Sequence, residues 1–106
     1  MKNNFISVSD RHLITKLKKD VHVLWSKVFK ISYIESPKTK YLIIISKKNF
    51  KLAVTRNLIR RQIRTMLKTI KLDVKMAISI IVNKQFAKET YASNLLDLTR
   101  LLQKIH

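Results

Sequence analysis

Glycine and cysteine are both absent from the 106-residue chain, and proline occurs once, as Pro37. Without cysteine there are no disulfides, zinc ribbons, iron–sulfur clusters or thiol nucleophiles. Without glycine, the phosphate loops that need it, Walker A and the dinucleotide fingerprint, are excluded. Tight turns then fall to Asn, Ser, Asp and Pro37. Acid is scarce too: 6 Asp and Glu stand against 23 Lys and Arg, a formal net charge of +17. Long apolar runs are missing. Leu42-Ile43-Ile44-Ile45 falls far short of the ~20 residues of a membrane helix, and no apolar stretch near Met1 leads to a cleavage site. These absences predict a cytoplasmic protein with no membrane segment.

The chain is 46% hydrophobic, enough for one core and a single domain over residues 1–106. So large a positive charge is tolerable when a polyanion neutralises it. Nucleic acid is the leading partner and an anionic membrane the second. Lysine (17) far exceeds arginine (6), and isoleucine reaches 14, as in genes drawn to AT-rich codons. An ordinary surface lysine therefore carries little information, and the few arginines carry more.

Periodicity divides the chain. Ser9 to about Lys19 places Leu13, Ile14 and Leu17 at helical spacing, with Ser7 or Ser9 as N-cap. Val28 to Ile34 alternates as a strand, with Phe29, Ile31 and Tyr33 inward and Lys30 and Ser32 on the other face. Glu35-Ser36-Pro37-Lys38 is a turn. Tyr41 to Ser46 is a second strand, apolar enough to be central. A long helix follows from about Leu52 to Thr69, its stripe Ile59, Ile63, Met66, Leu67 and Ile70, with Asn49 as a nearby N-cap. Val74 to Val82 is a third strand. The last helix runs from the N-cap Thr90 to about Lys104, with an apolar seam of Tyr91, Leu95, Leu98, Leu102 and Ile105. A short extra strand fits Val21 to Val23. The expected class is α+β, a small two-layer sandwich with helices on one sheet. Trp25 could stack on a base, but a lone tryptophan more often packs, and packing is the expectation.

Function concentrates in the long helix. Residues 36–72 contain no acid and eleven basic residues. Arg56, Arg60, Arg64 and Lys68 recur every fourth residue, a row along one helix edge opposite the apolar stripe. Like charges at this spacing repel, and a merely solvated face normally mixes its signs. Phosphate binding explains the single sign, because a guanidinium forks onto phosphate oxygens. Arg61, Lys47, Lys48 and Lys51 flank the row. Asn57 is placed either to bond a sugar or phosphate or to cap local backbone. Lys84 and Lys88 are phosphate contacts or plain solvated lysines.

The run Ala53-Val54-Thr55-Arg56-Asn57-Leu58-Ile59-Arg60-Arg61-Gln62-Ile63-Arg64 resembles the signature of the bacterial ribonuclease P protein subunit. So do Ser46-Lys47-Lys48 before it, Ile80-Ile81-Val82-Asn83-Lys84 after it, and Thr90-Tyr91 opening the last helix. The chain departs from the family pattern in four places. Leu58 stands where a basic residue is usual, Asn49-Phe50-Lys51 carries no glycine, Leu13 and Leu17 replace two aromatics, and Asn83 replaces a basic residue.

The resemblance implies an αβββαβα, ferredoxin-like fold with a left-handed β-α-β crossover, against the usual hand. It implies a partner, a catalytic RNA that uses Mg2+ to remove the 5′ leader from precursor tRNA, with the protein binding that RNA one to one. It also implies a leader cleft between the sheet and the first helix. In this chain Leu13 and Leu17 would be its apolar wall, and Lys30 and Ser32 its sheet face. The protein itself is expected to hold no catalytic residue and no metal. Asp10, Asp20, Glu35, Asp73, Glu89 and Asp97 are scattered, as are His12, His22 and His106, so no general acid–base pair or metal cluster is apparent. A small ribosomal protein shares the size, charge and architecture but lacks the Arg-Asn signature. A DNA-binding regulator would need a helix-turn-helix partner where this sequence has a strand.

Overall fold

The computed structural model describes residues 22–70 and 75–105. The expected first helix, with Leu13 and Leu17, lies outside them. Four strands and two long helices follow in the order β1 (His22–Trp25), β2 (Phe29–Glu35), β3 (Lys40–Ile44), α1 (Ala53–Ile70), β4 (Met76–Val82) and α2 (Tyr91–Gln103), with a 3-10 turn at Lys84–Lys88 before α2. Among the described residues, no helix is long and apolar enough to cross a membrane.

The sheet order is β1-β2-β4-β3. β1 and β2 form an antiparallel hairpin, and β2 pairs antiparallel with β4. β3 pairs parallel with β4, so α1 is the connection of a β-α-β unit. The apolar run of β3 suggested a central strand, but β3 is an edge. β4 takes the interior place, and β2 and β3, neighbours in sequence, are held apart by it. The run 42–45 is apolar because residues on both of its faces are covered, Leu42 and Ile45 being buried while Ile44 stays exposed.

One face of the sheet carries the core. Phe29, Ile31, Ile78, Ile80, Val82 and Tyr41 join the α1 stripe Ile59, Ile63, Met66 and Leu67 and the α2 residues Leu98, Leu101, Leu102 and Ile105 in one apolar cluster. The α1 stripe follows the 3.6-residue period read from the sequence. Tyr91 does not join it. As the first residue of α2 it is exposed. Phe86, in the 3-10 turn that periodicity missed, is buried and meets Phe29 edge-on at 5.8 Å.

Serine makes the turns that glycine would otherwise make. In the β1–β2 hairpin, Ser26 Oγ accepts from Val28 N at 3.1 Å and Phe29 N at 3.0 Å, and its hydroxyl donates to the Asp97 carboxylate. Ser46 Oγ accepts from Lys48 N at 3.0 Å, and Ser46 O from Phe50 N at 2.9 Å. This second turn buries Phe50 and takes up Asn49, so α1 starts later, at Ala53, without Asn49 as its cap. Thr90 does cap α2, its side chain accepting from Ser93 N at 3.1 Å.

Candidate nucleic-acid interface

Burying Ile59, Ile63, Met66 and Leu67 fixes the roll of α1 and therefore which side chains face outwards. A step of four residues turns a helix by ~400°, so each rung of the basic row is rotated about 40° from the last. The row is therefore a spiral. Arg56 lies on the side of the core and is half-buried, as is Arg60, whereas Arg64 and Lys68 are exposed. Asn57 and Arg61 are exposed beside them. Lys47, Lys48 and Lys51 lie on the turn and link that lead into the helix, all three exposed. No acid occupies the first turn of α1, so the positive end of the helix dipole adds to the field of these cations.

Two of the signature residues have jobs within the fold. Arg56 Nη1 donates to Phe50 O and to Lys51 O, both at 2.9 Å. These charge-assisted bonds clasp the link 50–52 to the first turns of the helix. A guanidinium has five N–H donors, so the clasp leaves others for a phosphate. Asn57 Oδ1 accepts from Arg60 Nη1 at 3.3 Å. The choice between ligand contact and backbone cap thus acquires a third answer, the steering of a neighbouring arginine.

The clasp makes a prediction. Arg56→Met keeps the aliphatic stem and removes both bonds. It should lower the unfolding free energy by about 1.5–3 kcal/mol, the net value of bonds to a charged group. Lys68→Met, on the exposed end of the row, should change it by less than about 0.5 kcal/mol. Urea denaturation of both variants measures the difference.

The Glu89 carboxylate is committed to partners outside α1. Glu89 accepts from Lys27 Nζ at 2.7 Å and from Gln85 Nε2 at 3.3 Å. The hydrogen bond from Lys27, then that from Gln85, holds the Glu89 carboxyl below its ordinary range, and the same bond to Glu89 holds Lys27 above its own. Burial pushes the Tyr41 hydroxyl up. Among the described residues, no group of three or more His, Cys, Asp or Glu is placed to hold a metal ion.

The second face of the sheet bears the other expected site. Residues opposite one another on paired strands share a face, so one row across the sheet is Trp25, Lys30, Ile81 and Ile44, and the next is Val23, Ser32, Ser79 and Leu42. Lys30 and Ser32 do lie opposite the core face. Ser32 is nevertheless buried, with Ser79 and Leu42, and of these two rows the Trp25 row is the open one. Trp25 was expected to pack. It is 67% exposed, with Lys30 Nζ 5.8 Å from its ring centroid. Among the described residues, no strand lies on the outer side of the four-residue β1. Leu52, Val54 and Leu58 at the start of α1 are also exposed, and of these the sequence reading had marked only Leu58, as a departure from a usual basic residue. Apart from helical spacing, which puts Val54 and Leu58 off the stripe, no local signal marks them.

The family model for Ribonuclease P matches residues 3–106. No curated protein matches the chain. Solved structures match closely in fold. The Staphylococcus aureus RNase P protein superposes with a TM-score of 0.83 at 23% identity, over 96% of this chain and 94% of that one. A mutant of the S. aureus RNase P protein with defective mRNA degradation activity gives 0.84 at 22%, over 94% and 86%. The RNase P protein from Thermotoga maritima gives 0.81 at 18%, over 100% and 99%.

Proposed function

Since the chain belongs to the ribonuclease P protein family, we propose a division of labour in which its basic ridge grips the catalytic RNA and its open sheet row meets the precursor leader. Its role is tRNA processing as a subunit of an endoribonuclease holoenzyme, and its partners are the RNase P RNA and precursor tRNA. The observation that carries the ridge is the one-sign segment 36–72, in which the buried stripe of α1 turns Arg61, Arg64 and Lys68 outward.

In this reading Arg60, Arg61, Arg64 and Lys68 meet phosphates of the RNA, Asn57 orients Arg60, and Lys47, Lys48 and Lys51 extend the contact along the link that Arg56 ties down. Lys30 lies on the leader side. One protein binds one RNA, in the cytoplasm. Bond chemistry belongs to the RNA and its Mg2+. The side chains gathered at the ridge are cations, which repel a metal ion, and the protein holds no catalytic residue. Its contribution is electrostatic: positive charge between two polyanions lowers their repulsion.

Reconstitution tests this directly. Adding the protein to its cognate RNA should allow cleavage of precursor tRNA at Mg2+ concentrations severalfold below those the RNA needs alone. Equal Mg2+ requirements would refute the electrostatic role.

A further inference from the structure

We propose that Trp25 is a stacking platform for a base of the single-stranded precursor leader, with Lys30 supplying the cation for the adjoining phosphate. The proposal rests on the function above and adds a leader-contacting residue that the family signature does not contain.

Trp25 is the single tryptophan of the chain and the largest side chain left in solvent. A ring of this size exposed to 67% forgoes burial that normally stabilises the fold. Lys30, its register partner, places an ammonium 5.8 Å from the ring centroid, within cation–π range. The cation therefore stays beside the ring. A purely apolar protein partner would have to desolvate it, whereas a nucleotide offers a base to the ring and a phosphate to the ammonium. Stacking on an aromatic is tolerant of sequence because every base has a π face, as suits a subunit that meets many leaders. From Trp25 the open row continues through Lys30 and Ile81 to Ile44, a span of about 14 Å at the usual strand spacing. It ends on the strand that leads into Ser46-Lys47-Lys48. A strand of RNA lying on this row would thus run from the ring towards the basic ridge.

The test uses the reconstituted holoenzyme and two precursors, one with a long leader and one with a single-nucleotide leader. Trp25→Ala should weaken binding of the long-leader precursor about tenfold, the usual worth of one stacked base, and leave the short-leader precursor unchanged. Trp25→Phe should retain most of the affinity. In the full-length protein, a single-stranded oligoribonucleotide should quench Trp25 fluorescence. Equal loss for both precursors, no loss for either, or binding without quenching would overturn the proposal. A dimer that Trp25→Ala converts to monomer would also overturn it, in favour of self-association. If the wild-type protein fails to stimulate cleavage of either precursor, the functional reading itself falls and takes this proposal with it. A Trp25→Ala defect confined to the long leader separates the two cases.

Discussion

Arg60→Glu combined with Arg64→Glu should abolish stimulation of precursor cleavage and weaken binding to the RNase P RNA by roughly a hundredfold to ten-thousandfold. The estimate takes two charge-assisted contacts of about 1.5–3 kcal/mol each. Reversal rather than neutralisation also places carboxylates against phosphates. Neither side chain belongs to the buried stripe of α1, so far-UV circular dichroism and the urea midpoint should stay near those of the wild type. Removing positive charge from a ridge of like charges relieves repulsion within the helix. Loss of stability can therefore be told apart from loss of grip. A folded double variant that still binds the RNA with wild-type affinity would show that the contact lies on another surface.

The second large effect is that of salt. Each phosphate neutralised by the ridge and the preceding lysines releases condensed counterions, so affinity falls along a straight line in log salt. For about six phosphates the loss between 50 and 200 mM salt is roughly a thousandfold. Equilibrium binding to the RNA across that range measures the slope, and replacing Lys68 with Met should make it shallower by about one phosphate. A flat dependence would remove the electrostatic basis of the assignment. The slope also distinguishes the two surfaces. The ridge should dominate it, whereas stacking on Trp25, being largely uncharged, should barely alter it.

Much of this was legible in the sequence because the governing signals are local. The 3.6-residue period of Ile59, Ile63, Met66, Leu67 and Ile70 fixed α1 and its outward face, and the alternation around Phe29 and Ile31 fixed β2 and its inward one. Thr90 announced the start of α2. What periodicity cannot encode is who pairs with whom. The apolarity of β3 reports burial of its faces and not the presence of a strand on each side, and so an edge strand read as a central one. The role of Arg56 was hidden for a related reason: its partners are main-chain oxygens of Phe50 and Lys51, which every sequence possesses. The exposure of Trp25 follows from the position of β1 at the edge of the sheet, a property of topology and not of the residues around it.

The place of β4 between β2 and β3 has a consequence for how the protein is made. During translation β1 and β2 are adjacent in the chain, but among the described strands the partner of β3 is β4, so β3 waits until residues 76–82 have left the ribosome. Through that interval the arginine-rich helix emerges with its apolar stripe unburied, beside ribosomal RNA and transcripts that its charges attract. The nascent subunit thus meets competing polyanions before Met76–Val82 arrives to join β3 to the rest of the sheet.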